Sequence, residues 1–257
     1  MKNKNHLSFS QINMFLRCPK QYEYRYMEGL RIPPAGAMVM GKAWHRTLER
    51  NYKQKIESHE DRPLGEMKEY FAYCFDGETS SQDVVYDEGE GPGELKDMGI
   101  LVTIAHHERI APAVQPATVE EKFEVSLGEG FPYDLVGIFD LIDAAGIVID
   151  NKSYARTPSQ EDVNKDLQLS TYALGYRIKN ARSETGLRMD AVIKTKKPKA
   201  VQLKTERTND ECRWLLGLIE KVAAAIEAGI FYPNPTGWHC SEKMCGYWTR
   251  CKERSKR

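Results

Sequence analysis

Asp140, Asp150 and Lys152 fall within one apolar stretch, VGIFDLIDAAGIVIDNKSY, residues 136–154. Buried carboxylates and ammonium groups cost several kcal/mol unless they are paired or hold a cation, so their place here needs a reason. Strand residues i and i+2 share a face, so Asp150 and Lys152 point the same way. A hairpin through the short turn Ala144–Gly146 can bring Asp140 beside Asp150. Two carboxylates that close raise one another's pKa unless a cation lies between them. Oxygen-rich sites suit Mg2+ or Mn2+. An ion there acidifies water and neutralises charge on a phosphate, which points to metal-dependent phosphodiester cleavage. Lys152 would orient the water or neutralise developing charge. The competing reading is a buried Asp–Lys ion pair bridging two strands.

Further residues have the chemistry to join this group. In Val119–Ser126 the apolar residues alternate with polar ones, and the alternation puts Glu121 on the apolar face as a third carboxylate. Gln168 and Tyr172 stand four apart on a predicted helix and share a face. An amide and a phenol suit holding a phosphate or base, and an ordinary amphipathic helix is the alternative. His45 lies one helical turn after Gly41, a position where a ligand could approach the imidazole. A core histidine is the plainer reading.

Cysteines form a second pattern. The tail WHCSEKMCGYWTRC carries Cys240, Cys245 and Cys251, and Cys18 stands far upstream. Thiolates so gathered bind soft metals. On the residues alone the readings are a soft metal, zinc held by all four cysteines or with His239 replacing Cys18, and reduced thiols without metal. Cys74 and Cys212 lack such neighbours and read as packing residues.

The elements that must position these groups are readable in outline. Helices are expected with Ser10 capping a first one, with Pro19 opening a second that ends near Gly29, over 36–56, and over 95–110. The acidic stretch 76–93 reads as a loop. Strands are expected over 119–126, 133–143 and 146–154, then a helix from a Thr157–Gln160 capping box to Lys179. Strands over 191–195 and 201–205 follow, and a helix from Thr208 to Gly229. This is a mixed α/β domain with a helical N-terminal elaboration.

The 257 residues carry 37 basic and 37 acidic side chains. The zero net charge hides a segregation: Asp76–Asp97 is net −7, so the remainder is +7, and Lys194–Lys199 (KTKKPK) is basic. No apolar run spans a bilayer and no secretory signal is visible, which implies a cytoplasmic protein with reduced cysteines and no membrane partner. No P-loop is present, so ATP-driven unwinding would need a partner.

The motifs GIFD (137–140), IDNK (149–152), QLSTY (168–172), GKAWH (41–45) and the opening LSFSQINMFLRCPKQYEYRY together resemble the PD-(D/E)XK nuclease superfamily, most of all its RecB/AddB-type nuclease domains. That resemblance implies a restriction-endonuclease-like core, a mixed central sheet flanked by helices. It implies one nuclease domain over 1–257, with a helical part at 7–110, a core at 117–230 and a tail at 231–257 packing with the N-terminal helices. It makes Asp140 and Asp150 ligands of Mg2+ or Mn2+, Lys152 the catalytic lysine, and His45 an aid to the metal or the leaving phosphate. Glu121 matches an acid on the preceding strand, and Gln168 and Tyr172 would position DNA. Asn151 departs from the usual apolar residue, although its backbone carbonyl could still ligate. The resemblance extends to an iron–sulfur branch that includes CRISPR-associated nucleases, in which Cys18, Cys240, Cys245 and Cys251 would hold a 4Fe–4S cluster. The tail departs from that branch in its cysteine spacing. The implied activity is a DNA exonuclease working on ends or single strands in recombination, repair or CRISPR and phage DNA processing, in a bacterial, phage or archaeal setting. A helicase or recombination partner would fit. The alternatives are a catalytically weak DNA-binding or assembly subunit, and a metal-sensing protein centred on the tail.

Overall fold

A computed structural model describes residues 5–254. In chain order the elements are β1 (Asn5–Ser8), α1 (Phe9–Arg17), α2 (Pro19–Tyr22), which runs on into a π-helical turn (Glu23–Met27), α3 (Gly36–Ser58), α4 (Leu64–Ser80) and α5 (Pro92–Arg109). Then come β2 (Pro116–Ser126), β3 (Tyr133–Asp143), β4 (Ile147–Tyr154), α6 (Gln160–Asn164), α7 (Leu167–Asn180), β5 (Gly186–Ile193), β6 (Lys199–Thr205), α8 (Asn209–Glu227) and α9 (Trp248–Arg254). The sheet is mixed, in the order β1-β3-β4-β5-β6, with β2 also pairing β3. The expected mixed α/β fold, a central mixed sheet with helices against it, is present. No helix among the described residues is long and apolar enough to cross a membrane.

The chain divides into two compact units that do not follow sequence order. One holds the described residues through Ile32, Glu124–Gly137 and those from Asn209. The other holds Pro33–Phe123 and Ile138–Thr208.

In the second unit, α3 presents Met40, Ala43, Trp44, Thr47, Leu48, Asn51 and Tyr52 on one buried face, at the 3–4 spacing of an amphipathic helix. Trp44 is fully buried. This face joins Phe71 and Phe75 of α4, Val102 of α5 and the strand residues Leu141, Ile149 and Val192 in one core. Such packing outweighs weak local propensity, and replacing the indole by a methyl would cost about 3–5 kcal/mol. Gly99 permits a close crossing, since a Cβ there would lie 1.9 Å from the Phe71 ring.

In the first unit, β1 runs parallel to the opening of β3, pairing Leu7 with Leu135 and Ser8 with Val136. Ser8, rather than the expected Ser10, caps α1: its hydroxyl accepts from Gln11 N–H, and the Gln11 side chain accepts from Ser8 N–H at 2.8 Å. Cys18 then adopts an extended backbone and Pro19 begins α2.

Three expectations are corrected. The supposed loop from Asp76 begins inside α4, whose buried positions Met67, Phe71, Cys74, Phe75 and Glu78 recur at helical spacing. The helix expected from Thr157 to Lys179 is two helices. Ser159 and Asp162 form the capping box of α6, and Asp166 caps α7 by accepting from Leu169 N–H at 2.8 Å. The strand β1 was not foreseen at all.

Candidate active site

The hairpin β3–β4 is antiparallel, pairing Leu141 with Ile149 and Ile142 with Val148. Its turn is fixed by Asp143, whose Oδ1 accepts from Ala145 and Ile147 N–H, both at 2.9 Å. Gly146 has φ +82°, the left-handed region that favours glycine, and a Cβ there would lie 2.7 Å from Thr185 Oγ1. Beyond Leu141 the ladder gives way to a side chain: Asp140 Oδ2 accepts Asn151 N–H at 2.9 Å. The two aspartates thus come to the same end of the hairpin.

Asp150 is fully buried. Lys152 Nζ donates to Asp150 Oδ1 at 3.1 Å and to Gln168 Oε1 at 2.8 Å. Gln168 Nε2 donates to the Tyr172 hydroxyl at 3.0 Å, and that hydroxyl donates to Asp140 Oδ1 at 3.2 Å. Asp150, Lys152, Gln168, Tyr172 and Asp140 therefore form one continuous chain of hydrogen bonds. Gln168 and Tyr172 share a face of α7, as their spacing predicts, but they turn toward Lys152 and Asp140. Tyr172 is 4% exposed and lies edge-on to Phe139. Burial, with the Asp140 charge, pushes its phenol well above the ordinary value, so it stays a donor.

His45 reaches the same place from α3, its Nδ1 3.5 Å from Asp140 Oδ2. A Cβ added at Gly41, one turn earlier, would meet nothing within 4 Å, so the space beside that turn is open.

The third carboxylate is Glu120, not Glu121. One ligand atom each from His45, Glu120 and Asp140 all lie within 4.8 Å of one another, the single such trio of His, Cys, Asp or Glu among the described residues. Glu120 has φ +51°, a left-handed conformation that costs a non-glycine residue about 1–2 kcal/mol. Glu121 keeps the face of Phe123 and Val125, but that face packs on α7, where Phe123 meets Gly175. Glu121 pairs instead with Lys179. Burial alone would raise its pKa, but that ammonium outweighs it and holds the carboxyl below its usual range.

Electrostatics mark the group as short of positive charge. Burial, reinforced by Asp140 and Glu49 and opposed by Lys53, pushes Glu120 up to about 7. Burial also pushes Asp150 up, Asp140 adds to this, and Lys152 opposes it. Burial would lower Lys152, but the Asp150 and Asp140 carboxylates outweigh it and raise the ammonium to about 12. Asp150 Oδ2 is buried without a hydrogen-bond partner, a state that costs on the order of 1–3 kcal/mol or more. Two carboxylates and an imidazole converge as a donor set suited to a divalent cation, and the orphaned Asp150 oxygen lies outside that trio.

A model of the PD-(D/E)XK nuclease superfamily matches residues 6–252. The chain belongs to the PD-(D/E)XK nuclease superfamily. Asp140, Asp150 and Lys152, the residues expected from the sequence, lie within this matched span and are linked by the hydrogen bonds above. Among solved structures, a candidate exonuclease from Eubacterium rectale is 12% identical, with a TM-score of 0.58 over 96% of this chain and 88% of that one. At that identity the likeness speaks for the fold. The crystal structure of SSO0001 is 15% identical, with a TM-score of 0.40 over 98% of this chain and 88% of that one. Among curated proteins none matches. Within the PD-(D/E)XK frame, Asn151 is the departure. Its side chain faces away from the acids, with Oδ1 3.3 Å from His106 Nε2, while its N–H holds Asp140.

The cysteine set lies in the first unit. Cys18, Cys240, Cys245 and Cys251 line one cavity of about 70 Å3, together with His239, Tyr24, Tyr247 and Trp248. None of the six cysteines is in a disulfide. Gln21 Nε2 donates to Cys245 Sγ at 3.1 Å. Burial pushes the Cys251 thiol up, and Cys18, Cys245 and Cys240 add to the shift, as expected where thiols crowd together. Cys74 and Cys212 are buried elsewhere, among apolar residues of α4 and α8.

Proposed function

We propose that the protein is a Mg2+- or Mn2+-dependent deoxyribonuclease, an exonuclease of the RecB/AddB type acting on DNA ends or single strands. The observation that carries this reading is the buried, unpartnered Asp150 Oδ2 beside a lysine held at 3.1 Å, on the hairpin that also gathers Asp140. His45, Glu120 and Asp140 would hold the ion, with Asp150 and the Asn151 carbonyl completing the set. When bound, the ion acidifies water and offsets charge on the phosphate. Lys152, fixed by Asp150 and Gln168, orients the attacking water and places positive charge beside the pentavalent phosphorus. Tyr172 and Asn151 N–H hold both Asp140 oxygens, so the carboxylate cannot rotate away. His45, open to solvent on one side, stands where a leaving sugar oxygen could take up a proton. Gln168 and Tyr172 thus serve DNA cleavage by positioning Lys152 and Asp140.

The test is incubation of end-labelled single- and double-stranded DNA, linear and circular, with Mg2+ or Mn2+. Asp150→Ala and Lys152→Ala should each lower cleavage at least about a thousandfold while the variants melt normally. Loss from linear but not circular DNA would establish end dependence. Full ion-dependent activity in either variant would remove the assignment. DNA binding with no cleavage by the wild type would leave an assembly subunit.

The four cysteines that line one cavity would hold a 4Fe–4S cluster, with zinc as the alternative occupant of the same thiols.

A further inference from the structure

The two segments that leave the sheet beside Lys152 are basic, although Asp162 and Asp166 lie near Tyr154. The segments 151–160 and 191–205 contain Lys152, Arg156, Lys194, Lys196, Lys197, Lys199 and Lys204 and no Asp or Glu, in a chain whose total charge is zero. Because β4 and β5 are parallel, with Lys152 beside Ala191 and Tyr154 beside Ile193, both strands leave the sheet at the same end. Lys194 N–H donates to Tyr154 O at 2.7 Å, which ties the β5–β6 turn to the strand two residues past Lys152. The turn is ordered: Thr195 Oγ1 donates to Lys197 O at 2.6 Å, and Pro198 fixes the backbone before β6. Arg156, Lys196, Lys197 and Lys199 are exposed, and among the described residues none of them is in an ion pair. Ligands of α/β sheets lie beyond the carboxyl ends of the strands, where these cations stand. At about 3.3 Å per residue, the turn begins roughly 10 Å from Lys152, two or three nucleotides along a strand.

We propose that the β5–β6 turn, with Arg156, is a backbone clamp that holds the phosphates of the nucleic-acid strand flanking the scissile bond. The clamp rests on the nuclease reading for its purpose, but not for its measurement. Phosphate contacts release counterions, so each contact contributes about 0.7 to the salt slope of single-strand binding. The experiment is fluorescence anisotropy with a labelled single-stranded oligodeoxynucleotide in chelator, across a salt series, on the full chain. The triple variant Lys196→Gln/Lys197→Gln/Lys199→Gln should weaken binding about tenfold at physiological salt and flatten the slope by roughly 2. In the cleavage assay its KM should rise while kcat holds. A control, Lys68→Gln/Lys221→Gln, removes exposed lysines remote in sequence and should bind like wild type. Unchanged affinity and slope in a folded triple variant would overturn the clamp even if cleavage is robust. Loss of binding in that variant, in a protein that never cleaves, would keep the clamp and sink the nuclease.

Discussion

At the scale of single residues, the exchange of Glu121 for Glu120 decides what the site can bind. Alternation sets Glu121 with Phe123 and Val125, but that face packs on α7, and the adjacent Glu120, at a positive φ, is the acid that meets His45 and Asp140. Nothing in PATVEEKFEV announces that positive φ, because glycine and asparagine are the usual residues there. Asp140, Asp150 and Lys152 were legible because charged groups in an apolar run demand explanation. The prediction that follows is specific. Glu120→Gln should weaken Mn2+ binding by about tenfold or more in calorimetry, whereas Glu121→Gln should leave it unchanged. Because Glu120 is pushed up to about 7, the ion must displace a proton, so affinity should rise with pH through 7 in the wild type and lose much of that rise in Glu120→Gln. Equal effects from the two substitutions would return the site to the alternating strand. An imidazole in the donor set further favours Mn2+ over Mg2+.

Elements place these residues through contacts the motifs do not contain. The hairpin was legible to within a residue, since strands apolar on both faces and a short turn leave few options. The helix α4 was missed because its last turn is acidic, and the break between α6 and α7 because Asp166 caps in the middle of an otherwise helical stretch. His106 on α5 was invisible as a partner. It is 1% exposed, touches Tyr52 O–H at 3.5 Å, and meets the Asn151 side chain behind the strand that bears Asp150. Burial holds its pKa down to about 3, and the Asn151 contact offsets this only in part. A histidine in an unfolded chain titrates near 6.5, so below that pH the unfolded state binds a proton that the folded state refuses. The contribution is fully present above pH 6.5 and is lost as pH falls toward 3, by up to about 5 kcal/mol. Urea denaturation at stepped pH should show His106→Gln losing less stability than wild type between pH 6.5 and 4. Parallel acid limbs would remove His106 from the account.

For the whole molecule, the sequence order of parts is misleading. The chain passes back and forth between its two units. Composition could not reveal this, because which segments pack together is settled by long-range pairing such as Leu7 with Leu135. The four cysteines were legible as a set, and they do share one cavity. If they hold the proposed cluster, anaerobically purified protein will be brown, and Cys18→Ser will be paler and melt about 10 °C or more lower, since closing so long a loop is worth roughly 5 kcal/mol. Colourless wild type with stoichiometric zinc would refute the cluster. That single cavity also has a consequence for biosynthesis. Cys251 leaves the ribosome 233 residues after Cys18 (251 − 18), so at about 5–20 residues per second the set is completed only after on the order of tens of seconds. A chain interrupted before Cys240 can never complete it. Cofactor insertion would therefore select chains made past Cys251, and a product terminated before it would lack the four-thiol cradle however well the hairpin residues had already come together.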